Sequence, residues 1–67
     1  MQNAVVIQTP YSRTIADAAN AIGIGKSTLW RLIAKGEIKA FPVGRRTLIT
    51  EEEIKRFVRE KSEAANA

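Results

Sequence analysis

Gly25-Lys26-Ser27-Thr28 is the stretch of this chain with the most overt chemistry. A glycine, a lysine and two hydroxyls in that order close the phosphate-cradling loop of nucleotide hydrolases. There, backbone N–H groups and the ammonium hold the phosphates, and a hydroxyl binds magnesium. The full pattern is G-x-x-x-x-G-K-[ST], and its first glycine falls here on Asn20. Such a loop must also follow a strand, whereas Ile15 to Ile22 carries apolar residues at helical spacing. A nucleotide-binding α/β core needs several strands and crossover helices, more than 67 residues supply. The lysine therefore serves a different phosphate or none.

Other site chemistry is sparse. The chain has no cysteine and no histidine, which removes thiolate chemistry, disulfides, the usual general base and the commonest metal ligand. No catalytic constellation, metal site or cofactor is expected, and the protein reads as a non-enzyme. Ala4-Val5-Val6-Ile7 is too short for a signal-peptide core and lacks a basic flank. No apolar run reaches the ~18 residues of a membrane span. A cytoplasmic, nucleoid-associated location is the resulting expectation, with no membrane partner.

Charge gives the first positive clue. The net charge is +4. Arg13 and Asp17 cancel in residues 1–25. Residues 26–46 hold Lys26, Arg31, Lys35, Lys39, Arg45 and Arg46 against Glu37 alone, a local charge of +5. Residues 47–67 hold four basic and five acidic side chains. A block this positive inside a small domain suits a polyanion, although a solvated basic face has the same composition.

The elements that must carry these cations follow from periodicity. Residues 1–10 read as an N-terminal arm, with Val5-Val6-Ile7 able to form a short strand before Pro10. Helix 1 starts near Thr14, which can cap it, and Gly23 stops it. Its apolar side is Ile15, Ala18, Ala19 and Ile22. Helix 2 runs from about Lys26 to Lys35, with Leu29, Leu32 and Ile33 as its apolar stripe. From Lys39 to Ile49 the period changes to that of a β-hairpin with its tip at Gly44-Arg45, and Pro42 must face outward on an edge. Thr50 and Glu53 fit a capping box for helix 3, Ile49 can staple onto Ile54, and Ile54, Phe57 and Val58 face the core. The Glu51–Glu53 run is a helix start. Residues 11–63 form the domain, and 64–67 are expected to fray.

Two helices joined through Gly23-Ile24-Gly25 make a helix-turn-helix. The fold expected is mainly α with a small β-hairpin, a winged helix-turn-helix of three helices and a two-stranded wing. The apolar set Ala18, Ile22, Ile24, Leu29 and Leu32 closes the angle between the first two helices. That leaves Lys26, Ser27, Thr28, Trp30, Arg31 and Ala34 outside, a face able to enter a major groove of double-stranded DNA. Lys26 opposes the helix dipole but suits a DNA phosphate at the helix start. Arg31 can take a guanine edge or a phosphate. Trp30 can instead lean on the hairpin. Arg45 and Arg46 at the hairpin tip can reach phosphate or the minor groove. Lys35 and Thr47 complete the candidate contact set.

The ordered run YSRTIADAANAIGIGKSTLWRLIAKGEIKAFPVGRRTLITEEEIKRFV resembles the excisionase-type winged helix-turn-helix domains, relatives of the MerR-type DNA-binding domain. The likeness rests on an aromatic start, a D/E-A-A helix, G-I-x-(K/R)-S-T-L-(aromatic)-R-L-I, a short G-E-(I/L) turn, a basic hairpin and a capped final helix. It covers about residues 11–60. The resemblance implies that helix 2 is the recognition helix, with Lys26, Ser27, Thr28 and Arg31 on it, and that Val43 to Leu48 is the wing carrying Arg45 and Arg46. It implies an excisionase, or recombination directionality factor, that bends DNA, binds as cooperative copies and assists an integrase. Gly25 stands where relatives usually have serine, so a phosphate-binding hydroxyl is missing. A small phage or plasmid transcription regulator has the same contacts. A protein-interaction module, docking through Val5-Val6-Ile7 and Trp30, is the reading from a different class.

Overall fold

The structure is a computed structural model and describes residues 11–66; the proposed arm at 1–10 lies outside the described residues. The elements run β1 (Ser12–Thr14), α1 (Ile15–Ile22), α2 (Lys26–Ala34), β2 (Phe41–Val43), β3 (Arg46–Thr50) and α3 (Glu51–Ala65). The three helices and the hairpin follow the sequence reading closely. The sheet is larger than the expected wing. It has three antiparallel strands in the order β1-β3-β2. Ser12, Arg13 and Thr14 pair with Thr50, Ile49 and Leu48. Three polar residues leading straight into a helix carry no alternation signal, so β1 exists by virtue of its partner strand.

Each helix boundary has a local cause. Thr14 Oγ1 accepts a hydrogen bond from Asp17 N at 3.2 Å and caps α1. Gly23 ends α1 with φ 93°, a left-handed backbone that a side chain resists. Its N–H and that of Ile24 both donate to Ala19 O, at 2.8 and 3.0 Å. At the end of α2 the N–H groups of Gly36 and Glu37 donate to Ile33 O and Leu32 O, each at 3.0 Å, the paired bonds of a Schellman cap. Thr50 Oγ1 accepts from Glu53 N at 3.0 Å and starts α3. Glu51 N donates to Tyr11 O at 2.9 Å, which ties that start to the chain ahead of β1.

The core is Ile15, Ala18, Ala19, Leu29, Ile38, Ile49, Ile54 and Phe57. Ile22, Ile24, Leu32, Ile33 and Ala40 pack against it. Ile49 and Ile54 are both buried, as the staple required. Ala19 of α1 is buried in the core. Ile38 was not anticipated: it lies between two charged residues in a segment without periodicity, yet it is 1% exposed. Val58 departs from expectation in the other direction, at 41% exposed. The buried arc of α3 centres on Ile54 and Phe57, and at about 100° per residue Val58 falls on its margin. α3 also continues through Ala65, two residues into the segment expected to fray.

Candidate nucleic-acid interface

α2 buries one narrow stripe and exposes the rest. Leu29 is fully buried, Leu32 and Ile33 are half-buried, and Lys26, Ser27, Thr28, Trp30, Arg31, Ala34 and Lys35 are exposed. Two rows of residues four apart run along that exposed face: Lys26, Trp30, Ala34 and Ser27, Arg31, Lys35. Thr28 lies beyond the second row, beside half-buried Leu32. Trp30, at 47% exposed, keeps much of its ring in solvent rather than spending it on the core. The site residues expected on helix 2 therefore all lie on its free side.

The start of α2 differs from the other two. α1 has Asp17 in its first turn and α3 has Glu51, Glu52 and Glu53, each helix with a threonine side-chain cap. α2 has a glycine N-cap with no side-chain bond, no acidic residue in its first turn, and Lys26 as its first residue. Its N-terminal N–H groups thus face outward beside a cation, the arrangement that suits an anion.

The hairpin presents its own cations. Phe41, Pro42 and Val43 pair with Leu48, Thr47 and Arg46, so the turn is Gly44-Arg45. Gly44 has φ 59°, which places the left-handed residue first in a two-residue turn, the position where glycine is demanded. Arg45 and Arg46 are exposed. Pro42 sits on the outer edge strand and is exposed, so its missing N–H leaves the ladder intact. Thr47 is half-buried. By strand alternation it shares the face of Ile49, not that of Arg46.

Ion pairing divides the cations into two sets. Among the described residues, Arg13 pairs with Glu51 at 2.7 Å, Arg56 with Glu53 and Glu60 at 2.6 and 2.8 Å, and Lys61 with Glu37 at 2.9 Å. Lys26, Arg31, Lys35, Lys39, Arg45, Arg46, Lys55 and Arg59 have no such carboxylate partner among those residues. The only acid of the basic block, Glu37, faces Lys61 of α3. Folding therefore leaves the positive stretch from Lys26 to Arg46 less compensated than the sequence suggests. Lys39, Lys55 and Arg59 are further exposed cations that the candidate contact set omitted; Lys39 was visible in the basic block.

Two carboxylates titrate low. The hydrogen bond from Arg56, aided by the Lys39 N–H, holds Glu53 below the usual carboxylate range against its partial burial. Lys61 does the same for Glu37. A depressed carboxylate contributes stability above its unfolded-state pKa and loses it as pH falls through the folded value. These ties are therefore closed at neutral pH and open only in acid.

A turn between two helices, an exposed second helix and a basic hairpin on one small core define a winged helix-turn-helix. The Helix-turn-helix domain family matches residues 14–62, and the chain belongs to it. It is thus a DNA-binding domain of a generally non-enzymatic class. No curated protein and no solved structure matches the chain. Among the described residues no helix is long and apolar enough to cross a membrane.

Proposed function

We propose that this chain is a sequence-specific binder of double-stranded DNA of excisionase type, related to the MerR-type domain. α2 enters the major groove, with Ser27, Thr28 and Arg31 toward base edges and Lys26 and Lys35 toward phosphates; Trp30 flanks them. Arg45, Arg46 and Thr47 at the wing contact the backbone or the adjacent minor groove. Copies bound side by side bend the duplex and help an integrase release a mobile element. The observation that carries the reading is the coincidence of exposure and charge. Every cation of the basic block is exposed and has no carboxylate partner among the described residues, and all but Lys39 fall on α2, its C-cap and the hairpin.

Footprinting on DNA from the native locus tests it. The expected result is protection of closely repeated sites within an attachment region beside an integrase gene. One isolated site over a promoter points to a regulator instead. The absence of any protection, with Trp30 fluorescence unmoved by duplex DNA, overturns the DNA-contact assignment and favours a protein-docking role.

A further inference from the structure

The segment between the reading helix and the wing, residues 35–40, has neither helix nor strand. Its middle is nevertheless fastened to α3 on either side of Ile38. Glu37 O accepts from Arg56 Nη2 at 3.0 Å, and Lys39 N donates to Glu53 Oε2 at 2.8 Å. Between them Ile38 is buried in the core. Arg56 and Glu53 hold each other through two bonds, Nε to Oε1 at 2.9 Å and Nη2 to Oε2 at 2.6 Å. Glu60 takes the remaining arm of the guanidinium at 2.8 Å, and Lys61 reaches the Glu37 side chain at 2.9 Å. The planar five-donor fork of arginine makes four hydrogen bonds here, to two carboxylates and a backbone carbonyl, one more than the three donors of a lysine supply.

β2 begins two residues after Lys39, and Phe41, Pro42 and Val43 are all exposed. No side chain of that strand is sunk in the core. Its position depends on pairing with β3 and on how its root is held. We infer that Arg56, acting with Glu53, is a positioning residue for DNA binding: it fixes the root of the wing relative to α2 without touching DNA itself. This inference rests on the wing contacting DNA, and it extends the interface to a helix that the contact set excluded.

The test has two arms. In the free protein, residual dipolar couplings from α2 and from the hairpin should fit one alignment frame in the wild type and two in Arg56→Met. One shared frame in the variant overturns the inference. That arm needs no DNA, so its outcome is separate from the fate of the proposed function. The second arm measures binding to a duplex selected from random sequence by the wild type. Losing the registration of two wing arginines should make the slope of log K against log salt about 1.8 units shallower. The wild-type advantage then shrinks about 12-fold between roughly 50 and 200 mM salt. In the Arg56→Met background, adding Arg45→Ala and Arg46→Ala should change the slope no further. A second fall of similar size means that Arg56 serves folding alone. Should Arg56→Met not fold, Glu53→Gln decides. It keeps a carbonyl for Lys39 N but loses the ion pair, and a wild-type slope there rejects the idea.

Discussion

Arg46→Ala probes whether the wing meets phosphate, and Arg13→Ala is its matched control. Each removes one positive charge from a chain of +4. They differ in what the charge already does. Arg13 Nε lies 2.7 Å from Glu51 Oε1, so that arginine is neutralised within the fold. Arg46 is exposed on the hairpin without a carboxylate. A cation that neutralises one duplex phosphate releases condensed counterions and contributes about 0.9 to the slope of log K against log salt. With five phosphates engaged the wild-type slope is roughly −4.5, and Arg46→Ala should give about −3.6. Across a fourfold salt change, from roughly 50 to 200 mM, the wild-type advantage should fall about 3.5-fold. Arg13→Ala should leave the slope alone and lower only thermal stability, because it removes the tie between β1 and the start of α3. Anisotropy of a labelled duplex across salt, with circular dichroism to confirm folding, reads both. Equal slope changes in the two variants mean that net charge rather than placement governs binding. An unchanged slope in Arg46→Ala means that the wing does not reach the backbone, and the reasoning from exposure to contact fails.

Three further predictions address the reading helix and its turn. Arg31→Ala should relax preference at one base position by roughly 1–3 kcal/mol, measured by site selection; a loss uniform over all sequences would make Arg31 a phosphate contact. Gly23→Ala should cost about 1–2 kcal/mol from the left-handed backbone alone, since a Cβ there meets nothing within 4 Å. For a domain of this size each kcal/mol lowers Tm by roughly 4–8 °C. Gly25→Ser, at an extended N-cap, should instead raise stability by a few tenths of a kcal/mol, and equal losses at both glycines would refute the assigned turn geometry.

Much of this architecture was legible because it is local. Thr14, Gly23, Thr50 and the acidic run at Glu51 act within a few residues of themselves, so their types state their roles. The hairpin turn was equally readable from Gly44 and from the change of period around it. The candidate site was legible to the extent that the apolar stripe of α2 is narrow: once Leu29, Leu32 and Ile33 are assigned inward, the polar remainder must face out. What escaped depends on partners distant in sequence. β1 is a strand because β3 lies beside it. Ile38 is core because the segment after α2 passes over the buried centre. The capping box at Thr50 was only partly informative. Thr50 does cap Glu53 N, but the Glu53 carboxylate serves Lys39 N and Arg56 instead. A spacing of Glu53, Arg56 and Glu60 suggests ordinary pairs along one helix; nothing in it reveals the carbonyl of Glu37 as a fourth participant.

The distribution of acids gives the fold its electrical direction. α2, β2 and β3 contain no acidic residue, and the segment between α2 and β2 contains only Glu37. Among the described residues the carboxylates that form ion pairs are Glu37, Glu51, Glu53 and Glu60, and each pairs with a cation of α3 or β1. Internal pairing therefore consumes charge at the brace and leaves it at the reading helix and wing. A designer seeking stability would add acids opposite Arg31 or Arg46, and exposed pairs of that kind return little, roughly 0–1 kcal/mol. Here such pairs would also neutralise the surface proposed to meet a duplex. The same partition explains why α3 can be both the most charged helix and the least suited to enter a groove. Its carboxylates fasten the root of the wing, and in a groove they would repel the phosphates on either side.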